Sequence, residues 1–306
     1  MTDRFPSRRS VVAGIGAATL LAPVARAQGG ALLHRPIPHG NGDSLPAVGL
    51  GTAVVFSGAN AQNKAGLTAT VRALIAGGGT LIDTAPSYGE AEGLVGDILS
   101  ETGLRPKAFI ATKLERFEPG KEAAEAKECL ARLKTDKIDL LQLHNVRDPN
   151  QDMGGINALK AQGICRYTGI TTTFGRDYDA AEAIIKRARP DFLEVDYAFD
   201  NRKAEERLLP AAQDAGTAVL TALPFGRGRL FRTALDKPLP AWAADFDAKT
   251  WAQFFLKFVL SHPVVTAVIP GTNKPEHMTD NLGAAMGRLP DAQQRQKMIA
   301  FLETLK

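Results

Sequence analysis

The sequence predicts an α/β fold, a (β/α)8 or TIM barrel with an N-terminal β-hairpin and an extra C-terminal helix, and three observations carry that expectation. Eight short apolar runs alternate with eight stretches whose apolar residues recur at helical spacing. The run Ile138 to Leu143 is apolar almost throughout, as a strand buried on both faces requires. The first run is followed by Thr52-Ala-Val-Val-Phe-Ser, without the glycine fingerprint that a doubly wound dinucleotide-binding sheet carries there.

The first 27 residues stand apart from this pattern. Arg4, Arg8 and Arg9 make a charged start, residues 11–24 are apolar or small, and Ala25-Arg26-Ala27 reads as a cleavage site. Residues 1–27 are therefore expected to be a signal peptide, leaving 28–306 as one barrel domain. Ser7-Arg8-Arg9-Ser10-Val11-Val12 looks like the twin-arginine export motif, which makes the export machinery an expected partner and the periplasm the expected location. Two arginines of an ordinary secretory signal are the plainer reading. Taking four basic residues (Arg4, Arg8, Arg9, Arg26) and Asp3 from totals of 37 and 33 leaves 33 basic against 32 acidic, a balance of +1. That balance gives no reason to expect nucleic acid or a stable membrane association as partner.

Within the domain, Gly40-Asn41-Gly42 marks a hairpin turn, here expected to form a small two-stranded lid. The strands are expected at 49–52, 80–83, 108–112, 140–144, 167–170, 192–197, 218–223 and 266–269. The helices are expected at 66–76, 90–99, 120–133, 155–161, 178–189, 204–215, 250–260 and 275–285, with Gly216 ending the sixth. Residues 226–248 are long for a connection and read as a functional loop; a last helix, 291–305, falls outside the eightfold count and is expected to pack across the barrel. Cys129 and Cys165 lack metal spacing and read as buried thiols, with a single bridge as the other option.

The chemistry gathers at strand ends. Asp83 closes the second strand and Tyr88 follows it, Lys113 closes the third, and His144 closes the fourth. A barrel brings these ends to one rim. A phenol ordinarily titrates near 10, so proton transfer at neutral pH calls for a nearby cation; Lys113 can supply it and Asp83 can hold the ammonium in place. His144 can donate a hydrogen bond to a carbonyl oxygen beside Tyr88. The arrangement lacks only a hydride, which no side chain provides, so a nicotinamide cofactor is implied. Taken singly, the four have ordinary structural roles: a cap, a packed ring, a solvated amine, a satisfied imidazole.

At these residues the chain resembles the aldo-keto reductase family, over about residues 45–285. The resemblance rests on Gly49-Leu-Gly-Thr52, Ile82-Asp-Thr-Ala-Pro-Ser-Tyr-Gly89, Glu128-Cys-Leu-Ala-Arg-Leu-Lys-Thr-Asp-Lys-Ile-Asp-Leu140, Val268-Ile-Pro-Gly-Thr272 and Asp280-Asn-Leu-Gly-Ala284. It implies Tyr88 as general acid/base, Asp83 and Lys113 as its tuning pair, and His144 as carbonyl orienter. The implied reaction is reversible hydride transfer between NADP(H), rather than NAD(H), and a small carbonyl or alcohol substrate.

The resemblance also implies cofactor contacts at Thr52 and Asp83. Thr171 and Thr172 stand where the family often has Ser-Asn, and Glu194 where it has Gln, around the nicotinamide carboxamide. Ala222 replaces an aromatic that stacks on the ring, with Phe225 as a substitute. Leu223, Phe225, Gly226 and Arg227, with Arg229 nearby, read as a pyrophosphate clamp or as a plain turn with solvated arginines. Thr272 and Lys274 are implied for the 2′-phosphate, His277 stands where many relatives carry arginine, and Asn281 is implied for the adenine. One rival reading stays open, a cofactor-holding regulatory or binding protein on the same barrel; a hydrolase would need a metal cluster or paired rim carboxylates, and the sequence shows neither.

Overall fold

The computed structural model describes residues 31–115 and 120–305; the expected signal peptide lies outside them. The hairpin comes first, β1 (His34–Pro36) against β2 (Ser44–Pro46), antiparallel with Arg35 opposite Leu45. Its turn is built by Asn41 and Gly42, both at positive φ (49° and 96°), where only short polar or glycyl residues sit without strain.

Eight parallel strands follow: β3 (Leu50–Gly51), β4 (Leu81–Asp83), β5 (Phe109–Leu114), β6 (Ile138–Leu143), β7 (Cys165–Thr172), β8 (Phe192–Asp196), β9 (Ala218–Ala222) and β10 (Val265–Val268). Each pairs with the next in sequence order, and the sheet curls until its two ends meet. Val48 bridges Val268 and Gly51 bridges Gly271, while the Gly49 N–H donates to the Val268 carbonyl at 2.9 Å. That seam is what a (β/α)8 barrel needs to close, and it explains why β3 counts only two ladder residues against the expected four.

The helices between strands are α1 (Lys64–Ala76), α2 (Ala91–Thr102), α3 (Glu122–Leu133), α4 (Gly154–Ala161), α5 (Tyr178–Ala188) and α6 (Leu208–Ala215). They continue with a short α7 (Arg229–Thr233), α8 (Trp251–Leu260) and α9 (Pro275–Gly283), and α10 (Ala292–Leu305) ends the chain. Gly216 does end α6, in the left-handed conformation (φ 70°). That helix starts four residues later than expected because Lys203–Glu206 is a 3-10 turn and Pro210 fits only a first helical turn. The 226–248 segment carries structure of its own, α7 and a 3-10 stretch Ala241–Phe246, held by buried Leu230, Ala243 and Phe246.

Two apolar layers result from strand alternation. Residues such as Ile82, Ile110, Leu141, Ile170, Leu193 and Val219 face outward against the helices, whereas Leu81, Phe109, Leu140, Tyr167, Phe192 and Ala218 fill the barrel. Ile37 and Leu45 of the hairpin pack with that inner set, whose members are first or near-first residues of their strands. The expected two-stranded element ahead of the barrel thus plugs its amino end, opposite the carboxyl-end rim, because that open end is lined by apolar rings. Tyr167 donates from its hydroxyl to Asp43 and ties the turn down.

The last helix, α10, is present outside the eightfold count. It runs along the outside of α8: Phe301 packs on Trp242, Trp251 and Phe254, and Arg295 donates to Ser261 Oγ at 2.7 Å. Cys129 and Cys165 are both buried and unbridged. Among the described residues no helix is long and apolar enough to cross a membrane, and no group of three or more His, Cys, Asp or Glu is placed to hold a metal ion.

Candidate active site

The strand ends are staggered so that alternate residues of neighbouring strands meet inside the barrel. Asp83 aligns with Ala111, and Lys113, two residues on, aligns with Gln142. Thr171 aligns with Glu194 on the far side. Asp83 is fixed by its own backbone, since the Thr52 N–H and hydroxyl both donate to the Asp83 carbonyl, at 3.0 and 2.8 Å. Thr52 is thereby a brace for the strand end.

Lys113 is fully buried, and its ammonium has three acceptors: Asp83 Oδ1 at 2.7 Å, the Thr84 carbonyl at 3.0 Å and Glu194 Oε2 at 3.3 Å. Gln142 Nε2 donates to the same Glu194 oxygen at 2.9 Å. The Tyr88 ring stands 5.2 Å from the Lys113 nitrogen. On its other side the ring meets His144 edge to face, with centroids 5.8 Å apart. Asp83, Tyr88, Lys113 and His144 therefore converge as the sequence led one to expect. Glu194 does not fit the expected role of cofactor-amide acceptor alone: its Oε2 is drawn into the lysine cluster.

The electrostatics follow from one ammonium facing two carboxylates in a dry setting. Burial disfavours the charge on Lys113, but Asp83 and Glu194 more than offset this and raise its pKa, so it stays an ammonium. Asp83 is raised well above the carboxylate range, by burial first and then by Glu194, with Lys113 opposing. Tyr88 is raised too, by burial first; Lys113 pulls it down, while Asp83 and Glu194 push it up. Lys113 thus acts on the phenol in the expected direction, but burial outweighs it, with Asp83 and then Glu194 adding to the upward shift. Tyr88 is held as a proton donor.

His144 lies between Tyr88 and Glu115, whose Oε1 is 2.7 Å from His144 Nδ1. The same oxygen accepts from Ser87 Oγ at 2.6 Å. Glu115, Ser87 and Gln142 were not singled out by sequence reading. A signal was there: Glu115 follows Lys113 by two, and Gln142 precedes His144 by two, so strand periodicity puts each pair on one face.

The cofactor candidates divide. Thr171 faces the interior, in register with Glu194, and its hydroxyl accepts from the Asn145 N–H at 2.7 Å. Thr172 is its neighbour on a strand, so it points the other way, toward the helices, and donates to the Phe174 carbonyl. Phe225 turns toward Phe231, centroids 4.7 Å apart, and it is Leu223 that borders the inner apolar set. Leu223, Gly226, Arg227 and Gly228 all have positive φ, which makes a tightly coiled loop. Arg229 is tied to Asp200 at 2.6 Å, leaving Arg227 as the exposed arginine of the loop without a partner among the described residues.

After β10, Thr272 Oγ1 accepts from the Lys274 N–H at 3.2 Å and so caps the approach to α9. His277 and Asn281 are four apart on one face of α9, and Lys274 is the extended residue just ahead of that helix. Lys274 and His277 are exposed, and Asn281 is buried with no side-chain hydrogen bond among the described residues. A dinucleotide bearing an extra phosphate fits this donor set: two exposed cations without a partner among the described residues, Arg227 and Lys274, and a sheltered amide. Deeper in, the buried carbonyl oxygen of the Gln142 side chain has no hydrogen-bond partner.

Comparison with known proteins agrees with this geometry. The aldo/keto reductase family model matches residues 47–297. Methylglyoxal reductase YeaE of Escherichia coli (strain K12) is 32% identical over 257 residues, covering 82% of this chain and 89% of that protein. Morphine 6-dehydrogenase of Pseudomonas putida is 29% identical over 269 residues, with coverages of 84% and 88%. Among solved structures, an aldo/keto reductase from Klebsiella pneumoniae in complex with NADP and acetate superposes with a TM-score of 0.72 at 26% identity, covering 86% of this chain and 93% of that one. A matched span this long, carrying the converged tyrosine, lysine, aspartate and histidine, makes the chain a member of the aldo/keto reductase family.

Proposed function

We propose that this oxidoreductase reduces an aldehyde or ketone with NADPH, and can run in reverse, with Tyr88 as general acid/base. The observation that carries the reading is the Tyr88 phenol set between a permanently charged Lys113 and His144. NADPH is preferred over NADH because Arg227 and Lys274 are exposed cations without a partner among the described residues, and because the Klebsiella pneumoniae structures are complexes with NADP or NADPH.

In this reading the bound reduced nicotinamide supplies a hydride to the carbonyl carbon. Tyr88 gives its hydroxyl proton to the carbonyl oxygen, and Lys113 steadies the phenolate left behind until solvent returns a proton. His144 orients the carbonyl when its Nε2 carries a proton. Arg227, Lys274, His277 and Asn281 hold the far end of the cofactor, and Thr171 and Gln142 line the inner wall.

The test is NADPH oxidation in the presence of methylglyoxal and a panel of aldehydes and ketones. Replacing Tyr88 by Phe removes the proton donor, so turnover should drop by roughly 10²–10⁴-fold while NADPH binding, read by fluorescence titration, is unchanged. Unaltered turnover in Tyr88→Phe would exclude it as the acid.

We also propose that the protein is exported through the twin-arginine route, folded and loaded with cofactor, to the periplasm. The charged and apolar sequence of residues 1–27 supports this. Fractionating cells and recording the nicotinamide absorbance of the periplasmic protein checks both parts; a chain confined to the cytoplasm sinks the export reading.

A further inference from the structure

We propose that Glu115 is a positioning residue that locks His144 in the tautomer with its proton on Nδ1. Nε2 then accepts a hydrogen bond when the ring is neutral and donates one only when the ring carries two protons.

One donor at Glu115 has no choice of role. The backbone N–H of Ser87 can only donate, and it points at Glu115 Oε1 from 3.3 Å, beside the Ser87 hydroxyl at 2.6 Å. That oxygen is an acceptor. His144 Nδ1 lies 2.7 Å from the same atom, so it faces an acceptor and must carry a hydrogen. Burial works to raise the Glu115 carboxyl, but the bonds from His144 and Ser87 outweigh it and hold its pKa below the ordinary value. Glu115 is itself held in place, since its N–H donates to Glu125 Oε1 of α3 at 2.7 Å. The edge of Tyr88 fixes the imidazole plane from the other side, and Nε2 has no partner among the described residues.

A neutral imidazole has one N–H, and here Glu115 takes it. A carbonyl oxygen offers only lone pairs, so a neutral His144 meets it with a lone pair of its own. An alcohol hydroxyl has a hydrogen to give, and the neutral ring accepts it. The cationic ring reverses the match. The groups facing His144 are Glu115 ahead of α3, Tyr88 ahead of α2, the Asp83, Lys113 and Glu194 cluster behind Tyr88, and Glu125 from α3 behind Glu115. His144 is the histidine among them, and its second proton decides which partner the site suits.

The kinetic part of this inference rests on the reductase reading; the tautomer does not. The test uses the full chain labelled with 15N-histidine and a two-bond 1H–15N correlation spectrum, with His144 assigned by its loss in His144→Gln. The expected result is an Nδ1–H, Nε2-bare ring in the neutral state of the wild type and of Glu115→Gln, whose amide oxygen still accepts. In Glu115→Leu the ring should relax to Nε2–H, the form free imidazole prefers. With methylglyoxal and NADPH, Glu115→Gln should keep the wild-type dependence of kcat/KM on pH, whereas Glu115→Leu should change it. A wild-type ring protonated on Nε2, or one tautomer in all three proteins, overturns the proposal. An Nδ1–H ring in a wild type that turns over no carbonyl upholds the tautomer and counts against the reductase reading instead.

Discussion

Lys113 shows how much depends on single contacts. Burial is the first reason Tyr88 stays protonated; the Lys113 ammonium pulls its pKa down, while Asp83 and Glu194, the latter 3.3 Å from that ammonium, push it up. Glu194→Gln keeps the size and an acceptor oxygen but removes a negative charge facing Tyr88. The phenol should then ionise more readily. Alcohol oxidation, which needs the phenolate as base, should begin its rise at lower pH, as a pH profile of kcat/KM with NADP+ would record. Asp83, Tyr88, Lys113 and His144 were legible in the sequence because each is a polar residue closing or following an apolar run. Glu115 and Gln142 were not, since their partners lie across strands and only the register brings them together. Arg229 was overvalued for the same reason: Asp200, twenty-nine residues earlier, claims it.

The elements were legible where local rules govern and less so where packing decides. Period-3.6 and near-continuous apolar runs located all eight strands and their helices, to within a few residues. The hairpin turn was evident from Gly40-Asn41-Gly42, but its position depended on which end of the barrel exposes apolar surface. Tyr167→Phe should loosen that plug by about 1 kcal/mol, the usual worth of one hydrogen bond, measurable by urea denaturation. The closing strand offers a sharper test. A Cβ on Gly51 would stand 2.7 Å from the Ile269 carbonyl oxygen, a backbone atom that cannot step aside. Gly51→Ala should therefore cost about 1–3 kcal/mol and lower Tm by several degrees.

The whole molecule carries a pH signature away from the site. His262 packs against Tyr197, and burial first, then the Arg295 cation, lower its pKa from 6.5 to about 4. A base whose folded pKa is depressed favours folding fully above its unfolded value, and that contribution drains away as pH falls from 6.5 toward 4. Stability by denaturant titration should decline over that interval and decline less in His262→Gln.

The seam between residues 47–51 and 268–271 has a further consequence, for the order of events on the ribosome. Its partners are about 220 positions apart in the chain, so the ring cannot shut until residue 271 has emerged. Contacts this distant in sequence make for slow acquisition of the native state. Until then β3 presents a bare edge to the cell, and any delay before β10 is made lengthens that exposure.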